Sequence, residues 1–328
     1  MTLERTRGPL LGLAVGVPTS ALFLWLAFRN ADLDLVRATL EQAHVGLVAL
    51  AAGFIAALYG FQAVRWRRIV SAPQVRVARF YEMIVSGAAC NNVLPVRLGD
   101  LLRARWLGLE ARMPAGRAFG TVMLDRGCDL AVLFGLMIVG LAAVARSDWL
   151  VYLALGAALV LLGLGGVILF ARFYIGSRER DRRRRRGLAR RLLRDVGEAL
   201  AEPLGRRRVA GWLVLSLVAW MMWAVAAVLV ARSVSIELSA GDALFVAAVM
   251  NLGAIIPSSP GYVGTYEWLG VASLGLLGVP QEEALAFSIL LHTTWYLPTT
   301  LVGGIALGVR ALRASRRSRS AGEARAGH

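Results

Sequence analysis

Four stretches of the chain, residues 8–28, 45–64, 149–171 and 209–231, run for about twenty positions without a charged side chain. At 1.5 Å of rise per residue, each is long enough to cross a hydrocarbon core of roughly 30 Å as a helix. Two more apolar runs, about 118–145 and 284–309, carry scattered polar positions and bring the full spans to six. Two others, about 80–109 and 243–277, are interrupted near their centres. The first breaks at Pro95-x-x-x-Gly99 and the second at Pro260-x-x-x-Gly264, and a further proline follows 19 residues on in one case, Pro114, and 20 in the other, Pro280. Hydrophobic segments broken by Gly and Pro at corresponding positions of two halves point to a binding site near the bilayer midplane. The pattern predicts an all-α polytopic membrane protein of about six transmembrane helices plus two re-entrant or broken helix pairs. If the prolines only kink ordinary helices, the count becomes eight spans.

Composition agrees with a membrane class: of 328 residues, 57% are hydrophobic and 18% charged. The run at 8–28 is longer than a signal-peptide core and has no small-residue cleavage site, so it reads as a retained first helix. Cys90 and Cys128 form neither a disulfide framework nor a metal-ligand spacing. A net charge of +16 in a soluble protein would point to nucleic acid; here the positive charge is all arginine and falls in blocks beside the apolar runs. These blocks are Arg5 and Arg7; Arg65, Arg67, Arg68, Arg76 and Arg79; the run 182–186 with its neighbours to Arg208; and 310–319. With both termini cytosolic every block lands on the inner side, as positive-inside topology requires. Residues 65–79 are then an inner loop, 176–208 a basic cytosolic linker and 310–328 a basic cytosolic tail of a single integral membrane domain. The same threading makes the segments 45–145 and 209–309 inverted repeats, with their broken pairs approaching each other from opposite faces.

Chemistry concentrates at the breaks. The first reads Asn91-Asn92-Val93-Leu94-Pro95-Val96-Arg97-Leu98-Gly99-Asp100-Leu101-Leu102-Arg103. Arg97, Asp100 and Arg103 share one face of a helix begun after Pro95, and with the free N–H groups of its first turn they suit a phosphate. The alternative is an interfacial helix with solvated charges. The second break reads Asn251 to Glu267, with Pro257, Ser258, Ser259, Pro260, Gly261 and Gly264 between. The prolines forbid a continuous helix, the glycines allow close approach of backbone to ligand, and Glu267 is either a site carboxylate or a satisfied structural one. Asp125, Arg126 and Asp129 lie inside an apolar span, where each charge costs roughly 2.5–3.5 kcal/mol unless it is paired or wetted. They either line a polar cavity or pair with one another. His292, 12 residues after Pro280, stands where Asp125 stands 11 after Pro114, as a proton relay or a hydrogen-bonded structural histidine. Trp295 and Tyr296 read as interfacial anchors. There is no HExxH, GxSxG, Walker or dinucleotide motif, so no catalytic residue, cofactor or metal is expected.

Taken in order, Asn-x-x-Leu-Pro-x-x-x-Gly-Asp-x-x-Arg (91–103), Asp-Arg-x-x-Asp (125–129) and Pro-Gly-x-x-Gly-x-x-Glu (260–267) resemble the flippase-like transmembrane region of lysylphosphatidylglycerol synthases, over about residues 10–312. Members of that family usually carry glutamate where Asp100 stands and often where Asp125 stands, so charge is kept and reach shortened. Bifunctional members add an aminoacyl-transferase domain, which the sequence to His328 does not contain.

The resemblance implies a bacterial inner-membrane flippase for a phospholipid, such as an aminoacyl-phosphatidylglycerol, or for a polyprenyl-phosphate-linked lipid. Arg97, Arg103 and Arg126 would hold the phosphate, while Asp100, Asp129 and Glu267 would balance them or meet a cationic headgroup. Asn91, Asn92, Pro95, Gly99, Asp125, Asn251, Pro257, Ser258, Ser259, Pro260, Gly261 and Gly264 would shape the cavity. Partners are membrane lipids, with a separately encoded lipid-modifying transferase as a further candidate and no nucleic acid. Two other readings stand beside this one: a scaffold for such a transferase, and a lipid-phosphate enzyme using Ser258, Ser259 or His292.

Overall fold

A computed structural model describes residues 7–94, 98–144, 206–253, 256 and 258–326 of the chain. Among the described residues there are ten α-helices and no strand: α1 Arg7–Phe28, α2 Leu33–Glu41, α3 Val45–Val70, α4 Val77–Val93, α5 Leu98–Ala111, α6 Ala115–Val144, α7 Arg206–Ser233, α8 Ala240–Leu252, α9 Thr265–Gly275 and α10 Gln281–Ala326. A 3₁₀ turn at Pro260–Tyr262 lies in the second break. The expected span at 149–171 and nearly all of the 176–208 linker lie outside the described residues, as do Pro95, Arg97 and Pro257.

Four helices, α3, α6, α7 and the part of α10 to Arg313, are long and apolar enough to cross a bilayer. Their outer faces stay apolar, with Val139, Val214, Leu217, Leu301 and Ile305 exposed, as a lipid solvent permits. Two boundaries differ from the sequence reading. Helix α3 continues to Val70, so Arg65, expected in an inner loop, is a helical residue with no exposed surface. Helix α10 runs on through the basic tail to Ala326. The amphipathic α2, capped by Asp32 Oδ1 on the N–H groups of Asp34 and Leu35, was not anticipated. It seats Val36 on α10 beside Leu285 and Ala286.

Both breaks are helical hairpins. At 17 and 14 residues, α4 and α5 reach about 25 Å and 21 Å, and at 13 and 11 residues α8 and α9 are shorter still, so no arm matches a full span. Glycine lets the first pair close: a Cβ on Gly99 of α5 would lie 1.9 Å from the Gly87 carbonyl oxygen of α4. In place of that side chain, the Gly99 N–H donates to Asn91 Oδ1 at 2.8 Å. In the second pair Gly253 meets Leu269, and Gly270 meets Met250 and Ser288.

The hairpins come in from opposite ends of the bundle. The first lies along the C-terminal half of α10, where Glu82 and Glu110 at its open end pair with Arg310, Val85 abuts Gly303, and Asn92 at its tip donates to Thr299 and Thr300. The second lies along the C-terminal half of α6, with Gly241 against Ala143 and Phe245 against Gly140. Because α6 starts just after Glu110, the C-terminal ends of α6 and α10 face opposite ways. The tips meet: a Cβ on Gly261, which has a positive φ of 74°, would sit 2.6 Å from the Tyr296 ring and 3.2 Å from the Asn92 carbonyl oxygen. Helices α3 and α7 run antiparallel beside them, with the His44 N–H bonded to the Ser233 carbonyl at 3.0 Å.

Adjacent glycines of α10 separate packing from propensity. A Cβ on Gly303 would fall 2.2 Å from the Val85 carbonyl oxygen, whereas Gly304 has open space. Gly303→Ala is expected to destabilise by about 1–3 kcal/mol through overpacking. Gly304→Ala is expected to be neutral or to gain up to about 1 kcal/mol of helix propensity. Melting temperatures of the purified variants in detergent check the contrast.

Candidate functional site

The charges of the first half close into a ring. Arg65 of α3 donates from Nε to Asp125 Oδ1 at 2.8 Å and from Nη2 to Asp129 Oδ2 at 3.0 Å. Arg103 of α5 donates to Asp125 Oδ2 at 3.0 Å and to Asp100 Oδ1 at 3.3 Å. Arg126 of α6 donates to the same Asp100 oxygen at 2.9 Å and lies 4.0 Å from Asp129 Oδ2. Three guanidinium groups thus alternate with three carboxylates, each flanked by opposite charges. Six unpaired charges at helix centres would cost roughly 15–20 kcal/mol on insertion scales, and alternation offsets that cost.

Further polar groups bond to the buried side of the ring. Trp220 Nε1 of α7 donates to Asp129 Oδ1 at 3.0 Å, and Ser216 Oγ accepts from Arg65 Nη1. Trp66 lies under the Arg103 guanidinium at 4.4 Å and donates its own N–H to Thr121 at 3.1 Å. The ring is unevenly exposed: the side chains of Arg65 and Arg103 are 0% and 2% accessible and that of Arg126 is 41%. Arg126 is therefore the arginine of the ring that is open to a ligand.

It stands at the edge of a cavity between the hairpin tips and helices α3, α6 and α7. Its empty volume is ≈ 1300 Å³, counting the space at its mouth. Arg126, Asp100 and Asp129 stand on one side, Asn91, Asn92 and Asn251 at the tips, and Leu58, Leu133, Trp220 and Trp223 on the apolar walls. A guanidinium beside carboxylates, in a slot walled by aromatic and aliphatic groups, can bind a phosphate with an adjoining cation and an attached apolar chain.

Of the expected site residues, Asn91, Asn92, Asp100, Arg126, Asp129 and Asn251 line this cavity. Arg103 and Asp125 are buried behind it, holding the ring. Gly99 serves the α4–α5 contact rather than the cavity wall. Ser258, Ser259 and Gly264 turn to α1: Gly16 abuts the Ser258 carbonyl, Ser20 Oγ accepts from the Ser259 N–H at 2.8 Å, and Gly264, with φ 86°, lies against the Ser20 carbonyl. Pro260 opens the 3₁₀ turn beside them.

Glu267 is not brought to the arginines. Its Oε2 accepts from the Gly264 N–H at 2.6 Å, capping α9, and its Oε1 meets His292 Nδ1 at 2.5 Å. Trp295 and Tyr296, expected as interfacial anchors, instead pack on His292 midway along the apolar part of α10, which ends at Arg313, Trp295 stacked at 5.1 Å and Tyr296 edge-on at 5.5 Å. Aromatic residues serve a buried imidazole here because the tips end at that depth.

Arg65 is the residue that sequence reasoning missed. A signal for it exists: Leu58, Gln62, Arg65 and Ile69 recur at helical spacing and all are buried, and Asp125 and Asp129, four apart on one face, call for a cation from another helix. Removing one partner of a buried pair costs about 3–5 kcal/mol. Arg65→Gln is therefore expected to lose most folded protein in fluorescence-detected size exclusion. Arg65→Lys, which keeps charge but not the fork that bridges two carboxylates, is expected to recover only part of it.

Comparison with known proteins bears on the same region. The chain is 27% identical over 335 residues to "Glycosyltransferase AglD" of Haloferax volcanii, an alignment that takes in 89% of this chain and 53% of that protein. The chain thus spans about half the length of this curated relative. The family described as the lysylphosphatidylglycerol synthase TM region matches residues 10–303, which include both breaks and the whole charge ring. The chain is a multi-pass membrane protein and belongs to the lysylphosphatidylglycerol synthase transmembrane-region family.

Proposed function

We propose that the chain moves a phosphate-bearing lipid between the leaflets of the cytoplasmic membrane. The observation that carries this reading is the half-exposed Arg126, beside Asp100 and Asp129, in a cavity whose other walls are largely apolar, where the two hairpin tips meet. Asp100 and Asp129 beside it favour a headgroup with a cation next to its phosphate, as in an aminoacyl-phosphatidylglycerol, over a bare dianion. A polyprenyl-phosphate-linked lipid is the other candidate cargo. Arg97, outside the described residues, is a further proposed phosphate ligand.

In this reading segments 45–145 and 209–309 are inverted repeats. The exchange of contacts between halves supports the relation, since α4 of one packs on α10 of the other and α8 packs back on α6. Rocking one half against the other around the tips would give alternating access. The termini are placed in the cytosol because the arginine blocks then lie on the inner side.

A second reading is favoured by one observation, the name of the archaeal relative: the chain would serve a glycosyltransferase or other envelope enzyme encoded separately. Reconstitution alone separates the two. In proteoliposomes with fluorescent phospholipids, the purified chain is expected to equilibrate lipid faster than empty vesicles do. A charge-assisted contact contributes about 1.5–3 kcal/mol, so Arg126→Gln is expected to slow transport about tenfold or more; Asp100 keeps Arg103 and Asp129 keeps Arg65, so this variant is expected to stay folded with a smaller loss of melting temperature than Arg65→Gln. Wild-type protein no faster than empty vesicles, across headgroups, contradicts the transport reading and leaves the accessory one.

A further inference from the structure

Each half of the molecule ties its hairpin to its long helix through charged groups. In the first half, Arg103, four residues after Gly99, reaches Asp125, 11 residues after Pro114. In the second, Glu267, three residues after Gly264, reaches His292, 12 residues after Pro280. The positions correspond, but the chemistry differs: a guanidinium keeps its charge at any relevant pH, whereas glutamate and histidine both titrate.

The hydrogen bonds around the second pair fix its proton count. The Gly261 carbonyl can only accept, so the contact of His292 Nε2 with it at 2.9 Å requires a hydrogen on Nε2. Glu267 Oε2 is occupied by the Gly264 N–H. The remaining contact, His292 Nδ1 to Glu267 Oε1, joins two groups that both present lone pairs when neutral imidazole faces carboxylate. It forms only when one proton lies between them, on the nitrogen or on the oxygen.

We propose that the Glu267–His292 pair is a proton-binding site whose occupancy opens and closes the second hairpin, making lipid movement proton-coupled. With the proton in place, Gly261, His292, Glu267 and Gly264 form a chain of hydrogen bonds that clasps both ends of the break onto α10. When the proton leaves, the single hydrogen left on the imidazole can serve Glu267 Oε1 or the Gly261 carbonyl but not both, so one end of the clasp is released. The proton is taken up from water on one side of the membrane and given to water on the other as the halves rock. This rests on the transport reading above.

The surroundings suit a switch. Glu267 and His292 are 7% and 6% accessible, so an unshared charge there is costly and the pair discharges by moving. One aromatic layer separates it from the cavity, since Trp295 stacks on the imidazole and also lines the cavity with Tyr266. The titratable groups facing the pair are Tyr266 of α9, whose ring lies 4.7 Å from the imidazole, and Tyr296 of α10. Tyr262 of the break and Tyr59 of α3 share the cavity wall, and the charged groups in that cavity are Arg126, Asp100 and Asp129. The tip of α4 contributes Asn92 and α1 contributes Ser20, neither of which titrates in this range.

Glu267→Gln tests the site without dismantling it. The amide oxygen still accepts from the Gly264 N–H and the amide N–H donates to His292 Nδ1, so the tie is closed at every pH. The full chain carries three histidines, and a His44→Gln, His328→Gln background leaves His292 alone for ¹⁵N nuclear magnetic resonance in nanodiscs. Between acidic and alkaline samples the pair of ring-nitrogen signals, Nδ1 and Nε2, is expected to change as the shared proton is lost. In proteoliposomes with an imposed pH gradient, wild type is expected to move fluorescent phospholipid several-fold faster in one gradient orientation than the other, and Glu267→Gln to fold normally and lose that response. Signals fixed at both ring nitrogens overturn the proton site, and changing signals with gradient-indifferent transport overturn the coupling. Should wild type move no lipid while the ring-nitrogen signals change, the transport reading falls and the proton site stands.

Discussion

The ring of Arg65, Asp125, Arg103, Asp100, Arg126 and Asp129 is the constraint on which the first half depends. Three helices contribute to it, and in a lipid solvent none of these charges has an alternative partner in water. Helices α3, α5 and α6 must therefore meet at one depth and in one register, and that depth is where the α4–α5 hairpin turns. The short arms follow: α5 starts within one turn of Asp100 and Arg103, so its first residues stand beside the charges they neutralise. Uneven exposure then divides the labour. Arg65 and Arg103 hold the structure, and Arg126 faces the cavity.

Close backbone approach does the rest. Gly87 with Gly99, Gly140 with Phe245 and Gly303 with Val85 bring helices together where a methyl group would collide with backbone atoms. Between membrane helices there is no hydrophobic drive to associate, and small residues at interfaces let dispersion contacts supply it. Because the contacts are exchanged between the halves, neither hairpin can seat without the long helix of the other. The site therefore lies at the interface between the halves, where movement of one against the other changes it most.

Much of the fold is legible in the sequence. Uncharged runs mark α1, α3, α7 and much of α6 and α10, because bilayer thickness sets a length that composition alone reveals. The twin breaks mark the tips, because only Gly and Pro permit them. What escaped is what depends on partners from other helices. Arg65 sits in a run of arginines that satisfies positive-inside topology equally well, so its burial against Asp125 and Asp129 is marked only by its helical spacing from Leu58, Gln62 and Ile69. Glu267 is recognisable as unusual, yet its role beside His292 follows from a fold that brings residues 25 apart together. Trp295 and Tyr296 carry the composition of a membrane-interface belt and stand instead at the middle of the apolar part of α10. The nine residues of α2 are too few for a periodic signal.

The functional account stands or falls on whether a lipid headgroup enters the space beneath the tips. The most direct measurement is photocrosslinking of the reconstituted full chain with a phospholipid bearing a diazirine near its phosphate, with adducts mapped by mass spectrometry. The account predicts adducts on the cavity wall, at Tyr59, Trp220 or Trp223, and their loss in Arg126→Gln. Adducts confined to the lipid-facing surface, at residues such as Leu301, Ile305 and Val139, and unchanged by that substitution would contradict it.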